Sequence, residues 1–160
     1  MKLWVIAVGR KMPAWVDTGF SDYAKRMPPG SKIHLIEIKA EKRTAGKSSS
    51  QILDAERRRI VASLPRNCRQ VVLDERGRVL STEQLAQNLA AWMQTGGDVA
   101  FVIGGADGLH QEIKNNADIR LSLSALTLPH ALSRVVLAEQ LYRAMSLMNN
   151  HPYHRPSGNS

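Results

Sequence analysis

At 160 residues the chain has the length of one ordinary domain, enough to bury about two thirds of its unfolded surface without metals or bridges. One cysteine, Cys68, excludes an intramolecular disulfide framework, and no Cys/His spacing of a zinc site occurs, so a reducing cytoplasm and no bound metal are expected. The net charge of +8 is unevenly spread, +4 over residues 1–40, +5 over 41–69, −4 over 70–118 and +3 beyond, which suggests a polyanion met by one side of the molecule.

The opening run MKLWVIAVGRKMP lacks the small-residue cleavage site of a signal peptide. No stretch approaches the roughly eighteen apolar residues of a membrane span, so a soluble protein with no membrane partner is expected. Lys2 to Gly9 reads as a buried strand. Ala14 to Arg26 reads as a helix stopped by Pro28 and Pro29, with Gly19 weakening its middle. Ile33 to Ile38 is a second strand. Glu41 to Ser50 is basic, small and without apolar anchors, hence a mobile loop whose Lys42, Arg43 and Lys47 are available to phosphates. A helix starts near Ser49 or Ser50 and ends by Pro65. Its consecutive Arg57, Arg58 and Arg59 fan around the axis and form no stripe.

Gln70 to Leu73 is a third strand. Ser81 and Gln84 have capping-box spacing ahead of a helix bearing Leu85, Leu89, Trp92 and Met93 and ended by Gly96 and Gly97. Asp98 to Gly104 is a fourth strand, running into Gly105-Ala106-Asp107-Gly108 and a short helix within Leu109 to Ala117. Ile119 opens a fifth strand that passes through SLSALTLPH, a run of small and aliphatic residues able to line an apolar slot with its backbone groups available to a flat polar ligand. The last helix, Ala131 to Asn149, projects Leu132, Val135, Val136 and Tyr142 to one side and Leu137, Leu141, Met145 and Met148 to nearly the opposite side. Two apolar faces need two covers, and a second copy of the chain is the expected second cover, giving a homodimer. Glu139 and Arg143 lie between the faces at pairing distance.

Strand and helix alternate throughout, the pattern of an α/β protein with a largely parallel sheet. Ligands bind outside the carboxyl ends of such strands, which brings together Leu73, Gly104 and the loop from Leu123 to Leu128. The IGGADG loop matches neither a dinucleotide nor a phosphate-loop pattern. Asp107 reads equally as a ligand-holding group or a turn cap. His130 reads as a helix start, and His34 and His110 as surface residues.

The motifs IGGADG, LSLSALTLPH and NHPYHR, with an opening of the form KLxxxAVGxKMP, closely resemble the bacterial large-subunit ribosomal RNA pseudouridine N3-methyltransferases of the SPOUT class. The resemblance runs from Met1 to Arg155; only PSGNS lies past it. It implies one SPOUT (α/β-knot) methyltransferase domain over residues 1–160, with a C-terminal trefoil knot and the cofactor site within about 71–155. It also implies a homodimer and S-adenosyl-L-methionine bound by Leu73, Gly104, Leu123, Ser124, Ala125, Leu126, Thr127 and Leu128. The implied substrate is a pseudouridine of 23S rRNA in the assembled ribosome, methylated at N3.

Proton loss from N3 requires a base or an anion stabiliser, and the tail offers three catalytic candidates. His154 can accept the proton, Tyr153 can stack on a base and Arg155 can stabilise the imide oxygens; they rank in that order. The alternative from another class is a noncatalytic rRNA-binding assembly factor, for which the basic first half would suffice. A nucleotide-hydrolysing domain ranks last, for want of a phosphate loop and an acidic metal cluster.

Overall fold

Strands with apolar residues on both faces must be covered twice, and that requirement shapes this molecule. The computed structural model describes residues 1–155; PSGNS lies outside the described residues. Strands β1 (Leu3–Val8), β2 (Ile33–Ile38), β3 (Cys68–Val79), β4 (Asp98–Ile103) and β5 (Ile119–Ser122) form one sheet in the order β2-β1-β4-β3-β5. Every pairing is parallel. Leu3, Val5, Ala7, Val71, Val99 and Phe101 project into one core, closed by helices α1 (Ala14–Lys25), α3 (Thr82–Thr95) and α5 (His130–Met148). Ile6, Val8, Val72, Ala100 and Val102 project into the other, closed by α2 (Ser49–Ser63) and α4 (Gln111–Asn115). Each fully buried aliphatic side chain of this kind stabilises the fold by about 1.5–3 kcal/mol.

Local signals place the helices. The capping box of α3 forms as expected, Ser81 Oγ accepting from the Gln84 N–H at 3.1 Å. A second box starts α2, with Ser48 as the cap and Gln51 answering it. Gly19, a weakness in a lone helix, is explained by packing: a Cβ there would lie 3.2 Å from Val135 Cγ1, so the glycine lets α1 approach α5. His130 is the first residue of α5.

Two expectations change. The third strand does not end at Leu73. It pairs with β5 up to Leu73, loops out over Asp74–Gly77, and rejoins β5 at Arg78 and Val79. Gly77 makes this possible, because a Cβ there would lie 2.7 Å from the backbone carbonyl group of Arg120. The basic loop is also not a set of unengaged cations. Arg43 pairs with Asp107 at 2.8 Å, Lys47 with Glu41 at 3.5 Å, and Arg59 of α2 reaches Glu41 as well.

The two faces of α5 are real but unequally left over. Leu137, Leu141 and Met145 are buried, whereas Val135 meets Gly19 and Tyr142 is covered by the chain's own tail, with the Tyr153 ring 4.6 Å away. Leu132 and Val136 stay half-buried.

Beside this face, Arg134 is 1 % exposed. Its guanidinium donates to Glu37 Oε2 at 2.6 Å and to the Gly9 carbonyl at 2.8 Å. One side chain thus ties the exit of β1 and the end of β2 to the first turns of α5.

Candidate active site

β4 lies on one side of β3 and β5 on the other, so the direction of strand addition reverses at β3, where open α/β sheets form their ligand crevices. A cleft of about 640 Å³ opens there, within the usual range for small-molecule and cofactor sites. Its walls are the Asp74–Arg76 excursion, the glycine loop from Gly104 to Gly108, and the segment from Leu121 to His130. Of the eight expected cofactor contacts, Leu73, Gly104, Leu123, Ser124, Leu126, Thr127 and Leu128 line it; Ala125 is exposed and stands outside the lining.

Each wall has a local cause. A Cβ on Gly104 would lie 2.5 Å from the Gly108 carbonyl oxygen, so this glycine is required by the folding of the loop on itself, before any ligand arrives. Gly108 has φ +78, a value that L side chains rarely adopt. In the third wall, Ser122 Oγ donates to the Ser124 carbonyl at 2.8 Å, and Ser124 Oγ accepts from the Leu126 N–H at 2.9 Å. These two serines curl the backbone and leave Leu126 76 % exposed at the rim. Thr127 donates across to Glu75 at 3.3 Å, joining two walls. Sequence reasoning missed Asp74, Glu75 and Arg76 as lining residues. The signal was their turn chemistry ahead of Gly77, visible in the Asp74 carboxylate accepting the Arg76 N–H at 3.0 Å.

Behind the glycine loop stands Glu56 of α2, 6 % exposed. A Cβ on Gly105 would lie 4.0 Å from its Oε1, and its Oε2 accepts the Glu41 N–H at 2.9 Å. Burial pushes the Glu56 carboxyl up against the opposing effect of that N–H, and the Asp107 carboxylate adds to the rise. A carboxyl that titrates higher folded than unfolded gives stability present below the ordinary glutamate range and lost as pH rises through the folded value. Glu56→Gln keeps an acceptor for the Glu41 N–H and removes the buried charge. Thermal unfolding is therefore expected to show a higher Tm for the variant at pH 7 and little difference near pH 4; a lower Tm at pH 7 would contradict this placement.

None of the three tail candidates lines the cleft of its own chain. The tail folds back along α5. Tyr153 donates its hydroxyl to Glu139 at 3.2 Å and lies under the Arg143 guanidinium. Its phenol is pushed up to about 12, by burial first, then by hydrogen bonding with Tyr23 and the charge of Glu139, so it stays protonated at neutral pH and is no base. His154 Nε2 lies 3.2 Å from Glu83 Oε1, and its Nδ1 is buried without a partner among the described residues. The helix-end backbone and His154 hold the Glu83 carboxyl low. Arg155 is exposed. α5 meets the cleft at Ser133, six residues, or about 9 Å of helix rise, from Glu139. The histidines assigned to the surface are local: the His34 ring lies 4.8 Å from Trp4, and His110 caps α4.

Among the described residues no three His, Cys, Asp or Glu side chains are placed to hold a metal ion, and no helix is long and apolar enough to cross a membrane. A parallel α/β fold with a glycine-walled cleft at the strand reversal has the form of a small-molecule or cofactor site. Comparison makes the class specific. A family described as "Predicted SPOUT methyltransferase" matches residues 1–154. The chain is 59 % identical over 155 residues to the ribosomal RNA large subunit methyltransferase H of Burkholderia thailandensis, covering 97 % of this chain and 99 % of that one. It is 58 % identical, with the same coverage, to the protein of that name from Paraburkholderia phymatum. A solved structure titled as a probable methylase family protein from Haemophilus influenzae Rd KW20 shares the fold at 15 % identity and a TM-score of 0.58, over 98 % of this chain and 72 % of that one. The chain belongs to the SPOUT methyltransferase family.

Proposed function

We infer that this chain methylates N3 of a pseudouridine in 23S ribosomal RNA, on the assembled ribosome in the cytoplasm, with S-adenosyl-L-methionine as donor. The observation that carries this reading is the near full-length similarity to ribosomal RNA methyltransferases, joined to a cleft built from the motif residues. The cleft fits the donor. Its volume suits a nucleoside, Leu73, Leu123 and Leu128 supply apolar surface, and the curled backbone after Ser122 offers polar groups for an adenine edge. A trefoil knot over residues 71–155 is what membership of the SPOUT family implies. The single-domain reading is supported by one sheet carrying both cores.

When bound, the donor supplies an electrophilic methyl group on a cationic sulfur that leaves as a neutral thioether. The chain's own task is to hold N3 of the base in line with that group, at about 3–3.5 Å, and to remove the N3 proton. His154 is the proton acceptor in this reading, since a neutral imidazole can take up a proton. Arg155 balances charge on the imide oxygens, and Tyr153, fixed as a neutral phenol, stacks on the base.

The tail stops short of its own cleft, so two copies are needed if it is to serve a cleft as docked. Trp15 is 58 % exposed, one turn before Gly19 on α1, and Leu132 lies one turn before Val135 on α5. Together with Val136 they form the apolar surface on which a homodimer closes. Light scattering should give twice the chain mass at micromolar concentration; a monomer would contradict the dimer. Calorimetry separates methyltransferase from noncatalytic assembly factor: saturable binding of S-adenosylmethionine is expected, and ribosome binding without it would favour the factor.

A further inference from the structure

The pairing of Arg43 with Asp107, unexpected from the sequence, links the two halves of the function. Asp107 belongs to the glycine loop and lines the cleft, whereas Arg43 belongs to the basic loop and does not. Of the other lining carboxylates, Asp74 has Lys114 of the lining at 3.8 Å, and Glu75, which is exposed, accepts from the Thr127 hydroxyl. Asp107 is therefore the lining carboxylate whose counter-ion comes from outside. That counter-ion is 57 % exposed, against 22 % for Asp107.

Arg43 also stands where a phosphate backbone would land. β1 and β2 pair side by side up to Val8 and Ile38. Just beyond them Arg10, Lys11, Lys39 and Lys42 are exposed and have no carboxylate partner among the described residues. A strand of RNA crossing this rim reaches Arg43 next, and a guanidinium takes a phosphate in the same forked geometry as a carboxylate. Exposed ion pairs are weak enough to exchange partners in this way.

We propose that Asp107 is a specificity-determining residue that favours the cationic methyl donor over its neutral-sulfur product, and that Arg43 masks it until RNA phosphate draws the guanidinium away. The proposal rests on the methyltransferase reading above. Its physical content is a difference of charge: an unmasked carboxylate on the cleft wall attracts a ligand carrying a positive centre and leaves an otherwise similar neutral one unaffected. RNA and donor then bind with positive coupling, and by linkage the donor tightens RNA by the same factor. The product, lacking the charge, gains nothing and is the first to leave.

The test compares two ligands that transfer no methyl group, sinefungin, which is cationic near the sulfur position, and S-adenosylhomocysteine, which is neutral there. Their affinities are measured by equilibrium dialysis with and without assembled large ribosomal subunits. For the wild-type protein the sinefungin preference should rise roughly threefold when subunits are added. Arg43→Ala should show the raised preference without subunits and no further rise with them. Asp107→Asn, which keeps the side chain's shape, should show the low preference under both conditions. A response to subunits that survives in Asp107→Asn, or an Arg43→Ala protein with wild-type preference in the absence of subunits, would overturn the proposal. Failure of wild-type protein to bind either ligand would overturn the methyltransferase reading itself, whereas binding of both with a preference indifferent to subunits and to both substitutions overturns the charge mask alone.

Discussion

Replacing His154 with alanine is expected to lower the single-turnover rate of methyl transfer by about 10²–10⁴-fold, the usual worth of a positioned proton acceptor, while donor affinity changes by less than about twofold. Binding and chemistry separate because His154 contacts Glu83 and none of the cleft. Rapid-mix turnover with saturating ribosomes reads the first quantity and calorimetry the second. An unchanged single-turnover rate would remove His154 from the mechanism. Mixing His154→Ala with a chain disabled in its cleft tests where the tail acts. Activity recovered in the mixture places the tail of one copy at the cleft of the other; no recovery places each tail at its own cleft.

Arg134→Ala is the substitution expected to cost most stability. It removes a guanidinium that is 1 % exposed, leaves Glu37 and the Gly9 carbonyl without their donor, and opens a void beside α5. Breaking a buried pair by removing one partner costs about 3–5 kcal/mol, and because Glu37 is one third exposed the lower end applies. For a chain of this size about 3 kcal/mol corresponds to a Tm lower by roughly 6–12 °C. Arg134→Met should recover part of the loss, since its side chain refills the volume and Glu37 can turn to water. Donor affinity should fall with Arg134→Ala too, because Arg134 fixes the start of α5, where His130 and Ser133 border the cleft. A thermal transition within about 2 °C of wild type would contradict this role.

The sheet was legible because its strands are short apolar runs, continuous in β1 and β4 and alternating in β2 and β5, set between turn signals, and helix boundaries followed from Ser81 with Gln84 and from Gly96 with Gly97. The cleft was legible for a different reason: in a parallel α/β chain the strand exits fall on one edge, so finding the exits of β3, β4 and β5 finds the site. What the sequence hid depends on contacts between distant residues. No local pattern distinguishes Arg134, buried against Glu37, from an exposed helical arginine, and no property of the EKRTAGK stretch foretells that Asp107, some sixty residues on, will hold its arginine. The strand expected to stop at Leu73 resumes at Arg78 because Gly77 can pass against the Arg120 carbonyl, a fit visible only once β5 is in place. The second apolar face of α5 was found in the sequence, but the share of it covered within the chain, by the tail's Tyr153 and the Gly19 notch of α1, was not.

Transfer of labelled methyl groups from S-adenosylmethionine to assembled large ribosomal subunits, followed by mass mapping of the modified nucleotide, tests the central claim most directly. Stoichiometric label at one pseudouridine of 23S rRNA, on N3, is the predicted result. Absence of transfer under conditions where both donor and subunits bind, or label on a different nucleotide, would contradict it.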